Sequence, residues 1–365
     1  MMSAREQLQQ AVRNGEAIGN RTIGALALDA CDLSGGIFDK VTFDGTRLAQ
    51  ARLAECVFTD CLFTGVDLRG ADLSKSVFIN GALSGTDLSG CLLDDCRLSG
   101  ARASGSRFSA MRAARLACLH AELDACRFDG VQIDQGFFDE TPLRGADFSA
   151  ARLQRCFFYR LDLRDVGFAR TEFERVVFTE SDLSGQRLNG QTFVRCQFIA
   201  TDLSRTDFTS ANLSHCNFQG TRLDYAVLEQ VHAPSAVFFG ASVGHARCAH
   251  AQLENSIWVD ARAQHTDFSD ADLRGAVFQR ADAAHARFAR TRLNAADFSQ
   301  AQLAGADFHE AAFARTSFHG AQGAEPATSP GRPGVIGAEP ALLAAQEWSR
   351  HRDARRRHTF IKEQP

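Results

Sequence analysis

The sequence predicts an all-β solenoid, a four-sided coil of about fifteen turns, from two nested periods. An apolar residue returns at every fifth position from Ile23 to Phe318, and Phe returns at every twentieth over most of that span. A 45% hydrophobic composition over 365 residues also places the chain among folded proteins with ample core.

The period of five matches neither the 3.6 of a helix nor the 2 of a strand. Every residue numbered with a final 3 or 8 between 23 and 318 is a centre, and 49 of these sixty are Leu or Phe. The position two before each centre, ending in 1 or 6, is mostly Ala, Cys, Ser, Thr, Val or Gly, and among the 120 residues of these two classes Arg21 alone is charged. Two residues in five therefore face a dry interior, and the other three carry the charge. Taking every fourth centre from Phe38 to Phe318 gives twelve Phe in fifteen, against thirteen in the other forty-five. A period of 20 means four pentads per turn. Stacked at the strand spacing of ~4.8 Å, fifteen turns make a rod roughly 70 Å long.

The stretches "ADLRGAVFQRADAAHARF", "ANLSHCNFQGTRL" and "ADFSQAQLAGADF" resemble the pentapeptide-repeat family, whose units read roughly A(D/N)Lxx. The resemblance spans about 300 residues and implies a right-handed quadrilateral β-helix. Residues 101–123 depart from the pattern. Centres Ala103, Ala113 and Cys118 are small while Met111 and Leu116 are bulky, which predicts a local kink with the register kept.

Four segments follow in order. Residues 1–20 read as an N-terminal capping helix, with Ser3 and Glu6 spaced as a capping box and Leu8, Ala11 and Val12 on one face. Residues 21–320 form the repeat β-helix. Residues 321–338, with three of the seven prolines, read as a flexible linker, and 339–365, opening with Pro340 in the first turn, as a basic C-terminal helix and tail. The tail's Arg350, Arg352, Arg355, Arg356 and Arg357 suit a solvated helix end, or a contact with an acidic protein, nucleic acid or an anionic membrane.

Net charge is −4, and residues 21–320 carry 31 Arg/Lys against 37 Asp/Glu. That is neither the basic field of a nucleic-acid binder nor a strongly acidic surface, so direct nucleic-acid binding is not expected. No apolar run reaches the ~18 residues of a membrane span, and the opening has no signal-peptide core. The expected location is the cytoplasm, with export by a signal-peptide-independent route left open.

All eleven Cys occupy inward positions, which assigns them to the core, and no zinc-type C-x-x-C is present. His245, His265 and His285, spaced by 20, form a weak candidate metal column; no metal or cofactor is expected. A filled rod offers no cleft to hold a nucleophile against a base, so neither an enzyme nor a small-molecule substrate is expected.

One surface stands out. On the face bearing the Phe centres, the position before the centre is large and apolar in nine of fifteen turns: Ile37, Val57, Val77, Phe137, Phe157, Val177, Val237, Ile257 and Val277. The position after it adds Ile79, Leu119, Tyr159, Ile199, Phe239 and Val259. Such a stripe fits a protein partner or self-association as a homodimer, the intrinsic preference of an extended face for β-branched residues, or cover by the tail helix. The expected function is a non-catalytic protein-binding scaffold. Resemblance to family members that accompany bacterial secretion, including type VI adaptors and effectors, implies an accessory role there. The quinolone-resistance branch implies the alternative, a DNA-mimicking inhibitor or protector of DNA gyrase or topoisomerase IV.

Overall fold

The computed structural model describes residues 2–323, 333–337, 341 and 344. The chain opens with a helix, Ala4–Arg13, closed by a capping box: the Glu6 N–H donates to the Ser3 hydroxyl at 3.3 Å and the Ser3 N–H to the Glu6 carboxylate at 2.8 Å. Leu8 and Val12 bury themselves in the same core as the coil that follows.

That coil starts one pentad earlier than the repeats suggest. Ala17–Gly19 pairs in parallel with Ile37–Asp39 and Ile18 is fully buried, so the Phe face has about sixteen levels, from Ile18 to Phe318. Glu16 and Arg21, which mask this turn in the sequence, sit at the coil's open end and are exposed. On the Phe face the strands form a ten-stranded parallel sheet up to Gln197–Ile199 and continue as single bridges to Ser317. Every rung up to Ser317 is offset by twenty residues, as in Val57↔Val77, Val77↔Arg97 and Phe137↔Phe157.

Backbone hydrogen bonding explains the repeat position by position. The N–H before a centre donates to the turn below, as Val57 to the Gly36 carbonyl at 2.9 Å, and the corner N–H donates to the turn above, as Asp60 to the Ile79 carbonyl at 2.9 Å. The N–H just after the centre is left over, and the Asp or Asn just before the centre takes it. Ser204 N–H donates to Asp202 Oδ1 at 2.9 Å and Ser214 N–H to Asn212 Oδ1 at 3.1 Å. Inside, the small residue two before the centre satisfies a centre carbonyl one turn below: Thr201 Oγ1 donates to the Phe178 carbonyl at 3.0 Å, Cys91 Sγ to that of Leu68 at 3.0 Å. This is why Thr, Ser and Cys share that slot with Ala; each adds one donor without adding bulk.

Nearly every corner turns through a left-handed residue, Ala25 and Asp165 being exceptions. Gly serves at many, but Ala150 at φ 56° and His265 at φ 58° are typical of the others. A side chain there costs roughly 1–2 kcal/mol over Gly, and in exchange the corner carries a projecting group.

The core is a stack of rings. Phe158 lies parallel to Phe138 at 4.9 Å and to Phe178 at 5.2 Å, and adjacent faces meet edge to face, as Phe278 and Phe288 at 5.7 Å and 88°. The kink expected at 101–123 is absent from the pairing, which runs Val77↔Arg97↔Ala117↔Phe137 without a bulge. Met111 and Leu116, both buried, occupy the volume that Ala103, Ala113 and Cys118 leave.

At the far end the expected linker contains a strand. Val335–Ile336 pairs in parallel with Thr316–Ser317, extending the Phe face, and the Phe318 N–H donates to the Ile336 carbonyl at 3.0 Å. The expected tail helix falls outside the described residues apart from Ala341 and Ala344, and the five tail arginines lie wholly outside them.

Two substitutions probe these terms through urea unfolding. Phe158→Ala, which removes a ring stacked on both sides, is expected to lower stability by about 3–5 kcal/mol. Ala150→Gly is expected to raise it by about 1 kcal/mol, since glycine meets no steric penalty at a positive φ.

Candidate protein-binding face

The coil places all thirteen residues of the expected stripe on one face, in two parallel columns one residue to either side of the buried Phe centres. Ile37, Phe137, Phe157, Phe239 and Ile257 are exposed, Phe157 most of all at 47%, and Val57, Val77, Tyr159, Val177, Ile199, Val237, Val259 and Val277 are half-buried. Ile79 and Leu119 join them, also half-buried. Phe137 and Phe157 lean on each other with centroids 6.3 Å apart.

Extended backbone does not by itself demand this. The fourth face carries its own five-stranded sheet, yet the corresponding residues there are Arg112, Gln132, Arg152, Glu172 and Thr192. Over the three other faces this column holds Leu62, Val227 and Leu92 as its large apolar side chains. The Phe face is apolar for a reason other than β preference.

Corner residues border the stripe on both sides. Along one edge His120, Glu140, Arg160 and Glu180 form a ladder of opposite charges, Arg160 lying 3.2 Å from Glu140 and 2.9 Å from Glu180 with its guanidinium 4.7 Å above the Tyr159 ring. Along the other run Arg115, Gln135, Arg155, Arg175 and Arg195. Arg115 pairs with Asp95 and Arg155 with Asp134, whereas Arg175 and Arg195 have no ion pair among the described residues.

Elsewhere many charges are matched within a pentad or across a turn. Arg274 bridges Glu254 and Asp272, and Arg292 reaches the same Asp272 at 2.9 Å. The Arg69 guanidinium holds Asp67 below the usual carboxylate range, and that of Arg280 does the same for Asp260. Each carboxylate so paired loses most of the field it would project.

The histidine column is a stack, and longer than its sequence spacing indicates. Tyr225, His245, His265 and His285 lie parallel at 4.9, 4.8 and 4.9 Å, with the Arg205 guanidinium over Tyr225 at 5.9 Å. Parallel rings direct their in-plane nitrogen lone pairs side by side, whereas a shared metal needs them to converge at bonds of about 2.0–2.1 Å. Among the described residues no group of three or more His, Cys, Asp or Glu is placed to hold a metal ion. All eleven thiols are free and buried. Burial pushes Cys56, Cys91, Cys96, Cys126 and Cys156 up to about 12, which makes them poor nucleophiles. No helix among the described residues is long and apolar enough to cross a membrane.

The chain belongs to the pentapeptide-repeat family. A profile of a pentapeptide repeat region matches residues 31–110, and one of pentapeptide repeats in eight copies matches 143–179, 192–230, 246–282, 259–294 and 291–322. No curated protein matches in sequence. Among solved structures the chain is similar to HetL, a pentapeptide repeat protein involved in heterocyst differentiation regulation in the cyanobacterium Nostoc, at 20% identity over 88% of this chain and 97% of that one, with a TM-score of 0.15. It is also similar to full-length QnrB1, a plasmid-mediated fluoroquinolone resistance protein, at 18% identity over 65% and 98% with a TM-score of 0.24. A pentapeptide repeat protein of the Arabidopsis thaliana thylakoid lumen matches at 19% identity over 35% and 71%, with a TM-score of 0.14.

The thiols set two expectations. Iodoacetamide at pH 8 should label none of the eleven cysteines in the native chain and all of them after denaturation, read by mass spectrometry. Stability should also decline above about pH 9: the unfolded chain then releases thiol protons that the folded chain keeps up to about 12, so the unfolded state binds fewer protons and gains with rising pH. Urea unfolding at pH 8 and pH 10 measures the difference.

Proposed function

We propose that the chain is a non-catalytic rod that recognises protein through its Phe face. The observation that carries this is the segregation of large apolar residues onto one outward face of four, over thirteen rungs from Ile37 to Val277. At the rung spacing of ~4.8 Å those rungs extend roughly 58 Å, and a strip about 10 Å wide covers close to 600 Å², the upper end of what monomers expose. Every level of the rod is filled by its own side chains, so the groups it presents stand in parallel columns and offer flat recognition rather than a reaction site. A scaffold role at bacterial secretion machinery is one setting that such a rod suits, and the protein it captures would decide it.

The alternative, a DNA-mimicking ligand of DNA gyrase or topoisomerase IV, draws on the likeness to the fluoroquinolone resistance protein QnrB1. Its requirement is a surface of uncompensated negative charge. The pairing of Asp202 with Arg222, Asp260 with Arg280 and Asp270 with Arg290 works against that.

Asp already occupies the same column of the same face at Asp297, where it accepts the Ser299 N–H at 2.8 Å. The triple variant Val57→Asp, Val177→Asp, Ile257→Asp should therefore keep its circular dichroism. In a crosslinked pull-down from the native host it is expected to lose the proteins captured by the wild type. An unchanged set of captured proteins would remove the Phe face from consideration.

A further inference from the structure

The stripe is not evenly apolar, and its interruptions are symmetric. In the column before the centres, three apolar rungs (Ile37, Val57, Val77) are followed by Arg97 and Ala117, three more (Phe137, Phe157, Val177) by Gln197 and Asn217, and the last three are Val237, Ile257 and Val277. Phe157 is the middle of the thirteen. In the column after the centres, Ile79, Leu119, Tyr159, Ile199 and Phe239 fall on every second rung, with Tyr159 in the middle, and Val259, whose mirror position is Thr59, is the one apolar residue outside the pattern. Both columns are therefore nearly palindromic about one level of the rod.

We propose that the first occupant of the Phe face is a second copy of this chain, packed face to face and antiparallel, on a two-fold axis at the level of Phe157 and Tyr159. The proposal rests on the reading of the Phe face as a protein-binding surface. An isologous interface needs a patch that matches itself under the two-fold. An axis lying in the interface along the strand direction reverses the rod but leaves the strands pointing the same way, so each column faces its own copy. Ile37 then meets Val277, Val57 meets Ile257, Val77 meets Val237, and Phe137 meets Val177. Phe157 and Tyr159 each meet themselves. In the second column Ile79 meets Phe239 and Leu119 meets Ile199. The interrupting rungs also coincide, Arg97 with Asn217 and Ala117 with Gln197, so no apolar block is set against a charge. The strip of close to 600 Å² per copy, about 1,200 Å² in all, lies at the lower bound of stable interfaces. The dimer is accordingly dependent on concentration.

The arginine edge gives the interface a salt signature. The same two-fold sets Arg115 against Arg195 of the other copy and Arg155 against itself. Repulsion along this edge is screened by salt, so association strengthens as ionic strength rises. An acidic partner docked along Arg175 and Arg195 would show the reverse.

The test uses the purified full chain. Sedimentation at concentrations up to roughly 100 μM, enough to saturate a micromolar dimer, is expected to give twice 39.8 kDa, more completely in high salt. Phe157→Asp, with unchanged circular dichroism, is expected to weaken the dimer roughly thirtyfold or more, as a charge placed twice at the interface centre should. Orientation is read with a short bismaleimide, the wild type with its buried thiols serving as background. Phe157→Cys should crosslink to itself, and Val57→Cys should crosslink to Ile257→Cys in a mixture but not to itself. Self-crosslinking of Val57→Cys, or a wild type that stays at 39.8 kDa throughout, overturns the antiparallel dimer. A monomer whose triple Asp variant still loses its captured proteins overturns the dimer alone; a monomer whose variant captures the same proteins as wild type overturns protein recognition by this face as well.

Discussion

The rest of the structure hangs on the hydrogen-bond ladder between turns, which fixes the vertical repeat at one strand spacing and the sequence repeat at twenty residues. Once Val57 N–H is committed to the Gly36 carbonyl and Asp60 N–H to that of Ile79, every slot lies directly over the same slot of the turn below. Side chains are then selected in columns. A large inward ring is favoured over another ring, as Phe138, Phe158 and Phe178 show, and volume is conserved within a level rather than at a position. Trp258 shares its turn with the smaller Val243 and Cys248, the same compensation by which Met111 and Leu116 fill the turn of Ala113 and Cys118. The left-handed corners work against this arrangement wherever they are not glycine, and they persist because the ladder leaves each corner residue no other conformation that satisfies its N–H.

The fold was legible in the sequence because its rule is local and repeated: centres, small inward slots and polar corners recur with no slip from Ile23 to Phe318. What escaped were features in which the rule meets an end or a neighbour. The first turn was hidden because Glu16 and Arg21 occupy inward slots that have no turn below to bury them. The strand Val335–Ile336 was hidden because it joins with an offset of nineteen residues. The stripe was legible as a set of residues, since the twenty-residue period says which share a face. Arg205 and Tyr225 were not recognised as members of the histidine column because their contribution is stacking, which depends on how corner side chains lean over the next turn and not on residue type. Nor does composition reveal that the inward Thr and Cys donate to centre carbonyls; that needs the vertical geometry.

The same stacking shapes what the rod can do. Catalysis and metal binding require groups that converge on a point, and a coil of constant pitch produces groups that run in parallel. Tyr225, His245, His265 and His285 illustrate the difference, since four functional rings in contact present their edges side by side. Parallel arrays suit the recognition of something equally long and flat.

A face built in this way carries a hazard, because an apolar strip of strand-like residues is a surface on which other chains can stick. The three other faces avoid it with mostly charged and polar columns, many of them paired within a pentad or across a turn, and on the Phe face the column before the centres turns polar at Asp297 and Ser317 before the added strand Val335–Ile336. Apolar residues are therefore withheld wherever they are not wanted, and their grouping on the remaining rungs calls for an explanation of the grouping as well as of the hydrophobicity. A preference for β-branched residues accounts for neither the exposed Phe137 and Phe157 nor the polar rungs between the blocks. A single partner of unrelated shape accounts for the hydrophobicity but sets no requirement that one end of the stripe mirror the other. Self-recognition does set that requirement, because under a two-fold every substitution is felt at two places along the same chain: a charge tolerated at Arg97 must also be tolerated opposite Asn217.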